Sequence, residues 1–247
     1  MSKSTLGYII DQGLSPIDSK PYVAILTLNS SNRKTGDMAQ VWILRSDINP
    51  VEALNAGDDY SICGNCPHRK GANELINGVL KFIASDKRSC YVNVGQAPNS
   101  VYKSFKAGRY PIATSAELKR VLAGRRVRWG AYGDPAILHE SVVSEINGYV
   151  LGHTGYTHQW RESFADWTKG VFQASCDGMV DYLEASKRGY KTYAVIPKGS
   201  RNYSGKQCPA TIELSEAQCK TCKLCDGAKA DIYVEAHGGG AKYVVSV

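Results

Sequence analysis

Arg126-Val-Arg-Trp-Gly-Ala-Tyr132, then Gly133-Asp134-Pro135, then the run Ala136 to Ile146, spell a strand, a tight turn and a helix in that order. The first segment carries the β-branched and aromatic residues of a strand, Gly-Asp-Pro breaks it, and the third has helical length. The order recurs downstream: Val171 to Ser175 is extended, Gly178 to Lys187 helical, and Lys191 to Ile196 extended up to Pro197. Gly148 to His153 and Asp231 to Glu235 add further strands. Strand, polar turn and helix in repetition imply parallel strands with crossover helices. The units are too few for a complete eightfold barrel, so the expected fold class is α/β, a reduced or irregular (β/α) barrel.

Toward the amino terminus, Tyr22 to Leu28 and Gln40 to Arg45 read as an antiparallel hairpin across the polar stretch Asn29 to Asp37. Pro50 to Gly57 reads as a short helix with proline in its first turn and glycine at its end. Ser100 to Ala107 is a second helix, and Ser115 to Ala123 a third, opened by a serine cap and closed at Gly124. Residues 1–97 are expected to hold the hairpin and a first cysteine group, and 98–247 the βα repeat and a second, in one compact domain.

Seven of the eight cysteines fall into those groups: Cys63-x2-Cys66 with Cys90, and Cys208 with Cys219-x2-Cys222-x2-Cys225. Thiolates two residues apart turn back onto one ion, so the spacing points to zinc or, alternatively, an iron–sulfur cluster. Disulfides compete with this reading, because the cysteine count is even. Against them stand the opening residues, which lack a basic-then-apolar secretory run, and a chain long enough to bury a real core. The second group has four thiols, with His237 to spare. The first has three, so His68 or a non-protein ligand would complete it, and three thiolates with an open position suit a catalytic-type zinc or a cluster with one exposed iron. Cys176 stands apart as a buried strand-end residue.

The chain has 247 residues, 43% of them hydrophobic, and no apolar run near the ~20 residues that cross a bilayer. A soluble, intracellular protein with no membrane partner is expected. Lys+Arg number 30 against 23 Asp+Glu, a formal charge of +7 that suits a polyanion. Lys103, Lys106, Arg109, Lys119, Arg120, Arg125, Arg126 and Arg128 crowd one stretch with Tyr102, Phe105, Tyr110 and Trp129. Cations among aromatic faces suit phosphates and unstacked bases; a solvated helix face is the competing explanation.

In parallel α/β folds chemistry gathers at the carboxyl ends of strands. Those ends carry Asp134, the run His153 to Trp160, Asp177, and Glu235 with His237. Asp134 and Asp177 are the candidate catalytic pair, one to attack or take a proton and one to donate, against the simpler role of capping helices. His153, Tyr156, His158, Trp160, Glu235 and His237 are candidate substrate contacts, with Trp129 as a further stacking face. GxxxxGK[ST], HExxH and GxSxG are absent from the sequence, which argues against a P-loop nucleotidase, a zincin or an ordinary serine hydrolase. The CxxxCxxC of most radical enzymes that use S-adenosylmethionine is also missing; Cys219-x2-Cys222-x2-Cys225 differs from it by one residue.

Cys63-Gly-Asn-Cys66-Pro-His-Arg69, Cys90-Tyr-Val92, Gly95-Gln-Ala-Pro98, Gly108-Arg-Tyr-Pro111, Tyr132-Gly-Asp-Pro135 and Cys208-Pro209 with its cysteine-rich tail resemble a group of bacteriophage and mobile-element proteins over about residues 35 to 227. That resemblance implies a phage or prophage origin and, with it, the cytoplasm of an infected bacterial host. A second resemblance bears on function: strand-end aspartates, a carboxyl-terminal cysteine site and a basic surface are similar to the tRNA-guanine transglycosylases and their phage DNA-guanine relatives. It implies exchange of guanine for a 7-deazaguanine base in nucleic acid, DNA above all, with zinc bound, a small-molecule modified base as second substrate, and Asp134 and Asp177 in the aspartate roles. The chain departs from that family in using four cysteines in place of the family's cysteines and distant histidine, and in possessing Cys63, Cys66 and Cys90. Two rivals remain at this stage: an iron–sulfur radical-type enzyme, and a non-catalytic, zinc-stabilised nucleic-acid-binding protein.

Overall fold

The computed structural model describes residues 6–30, 32–200, 203–212 and 215–244. The opening residues 1–5, where a leader was sought, lie outside them. The expected hairpin is present and gains a third strand. β1 (Gly7–Leu14), β2 (Pro21–Thr27) and β3 (Ala39–Arg45) pair antiparallel in sequence order, and Val23 to Leu26 are fully buried, as befits a central strand.

After β3 the pairing turns parallel. Helices α1 (Pro50–Ala56), α2 (Tyr60–Cys63), α3 (Ala97–Lys106) and α4 (Ser115–Leu122) and a small hairpin of β4 (Gly71–Ile76) and β5 (Val79–Ala84) intervene before β6 (Val127–Tyr132) pairs with β3. Asn49 caps α1 and Gly57 ends it in a left-handed conformation. Thr114, rather than Ser115, caps α4 in a reciprocal box with Glu117. The expected helix from Ala136 to Ile146 divides into a 3-10 turn, Pro135–Ile137, and α5 (Glu140–Tyr149), which takes Gly148 and Tyr149 from the strand expected there.

β7 (His153–Thr154) closes the first sheet against β6, and one residue later β8 (Tyr156–Thr157) opens the second against β9 (Gln173–Cys176). The residue between them is Gly155, where a Cβ would lie 2.6 Å from the Phe172 ring, so only glycine lets the chain pass from one sheet to the other. Past α6 (Met179–Lys187), β10 (Thr192–Ile196) pairs with β9, and β12 (Ile232–Glu235) lies between β10 and the short β11 (Lys206–Gln207).

The architecture is mixed α/β, with parallel strands from β3 onward adjacent largely in chain order. It is not a closed barrel. The two five-stranded sheets end at β1 and β11, which do not pair with each other among the described residues. The boundary read at 97/98 falls within a shared structure: β3 and β6 pair across it, and one apolar core joins Ile25, Ile43 and Ile62 to Leu122, Trp129 and Ile146. Among the described residues no helix is long and apolar enough to cross a membrane.

Candidate active site

Side chains of a strand alternate between faces, and the parallel strands use that period to line a cavity of about 260 Å³. Arg128, Gly130 and Tyr132 face it from β6, Thr154, Tyr156 and His158 from the β7–β8 strand, Ser175 and Asp177 from the end of β9, Tyr193 and Val195 from β10, and Val234 and Ala236 from β12. Of the residues between them, Trp129 and Ala174 are buried elsewhere, whereas Cys176, between Ser175 and Asp177, also reaches the cavity. Asp134, His68, His237 and all eight cysteines, the buried Cys176 among them, complete the walls that matter chemically.

The two aspartates meet through one histidine. Asp134 accepts the Ala136 N–H at 3.0 Å and the His158 N–H at 2.8 Å, and so caps the 3-10 turn as well as facing the cavity. Burial pushes its carboxyl above the usual carboxylate range despite those bonds. Asp177 lies 2.9 Å from His68 Nε2 through one oxygen and 3.2 Å from His158 Nε2 through the other. Burial would raise its carboxyl as well, but the two imidazoles prevail and hold it well below the ordinary range. His68 is oriented by Ser89 Oγ, 2.7 Å from its Nδ1. The ligand atoms of His68, His158 and Asp177 all lie within 4.8 Å of one another, so the trio also has the spacing to hold one divalent cation.

Both cysteine groups open onto the same cavity. Cys63 ends α2, Cys66 follows its turn, and the Cys90 N–H donates to His68 O at 3.0 Å. On the other side Cys219 and Cys222 bound the four-residue helix α7, whose start is tied to the β2–β3 loop by the Cys219 N–H to Lys34 O bond. Burial pushes the Cys63 and Cys225 thiols well up, and Cys90, Cys208 and Cys219 up as well; within each group the neighbouring sulfurs add to that effect. Compensation by a cation is the ordinary remedy for thiolates in such surroundings, and the four-thiol set of Cys208, Cys219, Cys222 and Cys225 fits zinc or an iron–sulfur cluster by donor chemistry.

Between the thiol groups Arg128 is buried, donates to the Tyr91 hydroxyl, and has no carboxylate partner among the described residues. Its Nε lacks a hydrogen-bond partner among the described residues. Beside it Tyr156 stacks on Tyr193 with ring centroids 4.1 Å apart and planes 20° apart.

Of the residues proposed from sequence, Asp134, Asp177, Tyr156, His158, His237 and the seven grouped cysteines share this cavity. His237 has both ring nitrogens engaged, with Glu235 O and Lys34 Nζ, so it is not the spare ligand. His153 points away, 2.9 Å from Val171 O, and Glu235 accepts the Gly199 N–H outside the cavity. Trp160 and Trp129 are core residues, 1% and 0% exposed, whose indoles bond Ser175 O and Asn147; neither can stack on a substrate. The basic stretch divides too. Lys103, Lys106 and Arg109 are exposed and free of salt bridges among the described residues, Arg125 and Arg126 are half-buried, and Arg128 is an interior residue. Its aromatic members Tyr102 and Tyr110 are buried in the core. Tyr91, Tyr193 and the cavity-facing role of Arg128 were not read from the sequence, although the period-2 alternation of Arg128, Gly130 and Tyr132 is a signal that could have shown the last.

No protein-family model, curated protein or solved structure matches this chain.

Proposed function

We propose that the chain is an enzyme that modifies nucleic acid by base exchange at a sugar carbon, most specifically a DNA-guanine transglycosylase that installs a 7-deazaguanine base. The observation that carries this reading is the pair of strand-end carboxylates on one cavity, joined through His158 and driven in opposite directions by their surroundings. A pair divided in that way suits division into an ionised nucleophile and a protonated acid.

Asp177, kept ionised, bonds to the sugar C1′ as the C1′–N9 bond of guanine breaks, and the departing N9 takes its proton from Asp134. The incoming 7-deazaguanine returns a proton from N9 to Asp134 as it displaces Asp177 from C1′. A target nucleotide must leave the duplex to reach such a pocket, and the Tyr156–Tyr193 stack offers it an aromatic surface. Lys103, Lys106 and Arg109 offer unpaired charge to the backbone. A zinc ion held by Cys208, Cys219, Cys222 and Cys225 would stabilise the segment that links β11 to β12.

The test is incorporation of radiolabelled guanine into duplex DNA and into tRNA, with a denaturing gel to trap a protein–nucleic acid adduct. Label in DNA and an adduct, both lost in Asp177→Asn, are expected. No incorporation into either polymer by metal-replete protein would overturn the reading.

A further inference from the structure

Arg128 is 7% exposed and faces the cavity from β6, whereas Lys34 and Lys223, the other cations on the cavity wall, are exposed side chains. A guanidinium carries five N–H donors. Among the described residues only the Tyr91 hydroxyl accepts from one of them, and Nε is buried without an acceptor. A charge held out of water in this way is strongly unfavourable unless an anion meets it.

The groups of the cavity do not supply that anion. Its carboxylates among the described residues are Asp134 and Asp177. Asp134 is taken by the N–H groups of Ala136 and His158, and Asp177 by two imidazoles. The titratable groups that bear on Arg128 are Tyr91, Tyr156, Tyr193 and Cys219. Burial pushes the Tyr156 and Tyr193 phenols well up, which keeps them neutral. Cys219, as a metal-bound thiolate, would share its charge with Arg128, but one sulfur does not fill a planar fork of donors. Two oxygens of a carboxylate or a phosphate do.

We infer that Arg128 is an anion subsite of the cavity, which takes the phosphate or carboxylate group of a small molecule whose planar ring lies against the Tyr156–Tyr193 stack. Both tyrosines line the same cavity as Arg128, so a cation and an aromatic face are offered together. In base exchange the oxyanion is the phosphate of the target nucleotide or an acidic substituent of the free base. That placement rests on the base-exchange reading; the subsite itself rests on the cavity alone.

The experiment is calorimetric titration of the full, metal-replete chain at constant ionic strength, as wild type, Arg128→Met and Arg128→Lys. Two pairs of probes are used: guanosine 5′-monophosphate against guanosine, and benzoate against benzamide. In the wild type the anion of at least one pair should bind about tenfold or more tighter than its neutral partner, as hydrogen bonds to a charged group allow. Arg128→Met should abolish the gap, and Arg128→Lys, which keeps the charge but not the fork, should retain only part of it. A gap in the first pair assigns the nucleotide phosphate, and one in the second a carboxylate on the free base. Equal binding within both pairs by the wild type, or a gap unchanged in Arg128→Met, would overturn the subsite. Loss of metal from the Cys208 group in Arg128→Met, with no gap in the wild type, would make Arg128 the counter-ion of the thiolates instead. The wild-type comparison can overturn the subsite even if both variants fail to fold. Binding is read without turnover, so a failure of base exchange leaves the subsite standing.

Discussion

His158 Nε2 stands 3.2 Å from Asp177 Oδ2, and that contact, with His68 on the other oxygen, keeps a largely buried carboxylate charged. Because the folded-state value of Asp177 is depressed, its contribution to stability is full above the ordinary carboxylate range and is lost as pH falls toward the folded-state value. Asp177→Asn should therefore cost roughly 2 kcal/mol near neutrality and progressively less on acidification. Urea unfolding of both proteins across that range checks it, and a cost independent of pH would mean that the imidazoles do not act through charge.

Gly64 has φ of 56°, and a Cβ there would lie 2.3 Å from Gln159 Oε1. Gly64→Ala should destabilise by roughly 1–3 kcal/mol, since both the backbone conformation and the close approach are lost to a side chain. Gln159→Ala in the same chain relieves the clash but removes the donor to Cys63 O, so the double variant should recover only part of the loss. Additive losses in the double-mutant cycle would show that the two residues do not meet.

The pattern of the chain reveals much of the scaffold and little of the site, for a physical reason. β2, β3, β6 and α1 announce themselves by local chemistry: branched and aromatic runs, an Asn cap, a left-handed glycine. β1 and the β4–β5 hairpin do not, because β1 is only partly buried and Leu75, Val79, Leu80 and Ile83 of the hairpin are exposed, leaving no clear inward face to read. The site depends on long-range pairing. Only the parallel registers of β6 with β7 in one sheet and of β8 with β9 in the other set Arg128, His158 and Asp177 around one space, and neither register is encoded in any single segment. Composition also misled: Trp160 and Tyr156 look alike as stacking residues and share strand parity, but β8 ends at Thr157 and the chain turns before Trp160, which enters the core while Tyr156 lines the cavity.

That separation can be measured. Trp160→Phe loses the indole bond to Ser175 O at 2.9 Å and some packing against Tyr190, and should lower stability by roughly 1–3 kcal/mol without changing the KM for DNA. Tyr156→Ala, which removes half of the stacked pair, should raise that KM several-fold, in line with about 1–3 kcal/mol for base stacking. Melting temperatures and exchange kinetics on the two variants decide the matter, and the reverse pattern would exchange their roles.

Arg69 gives the sharpest stability prediction. It is buried with Asp59, which it meets through Nε at 3.0 Å and a terminal nitrogen at 2.5 Å, and it also bonds Gly57 O and Gly64 O at 2.8 and 3.2 Å. Arg69→Met leaves the Asp59 carboxylate buried and alone, and should cost about 3–5 kcal/mol. Asp59→Asn combined with Arg69→Met should cost less than Arg69→Met alone, because no unpaired charge then remains inside. Denaturant unfolding of the three chains tests this. The same substitution frees the carbonyl of Gly64 inside the Cys63–Cys66 turn, so the double variant should still fall short of the wild-type chain; equal stability of the two would show that the turn does not need the guanidinium.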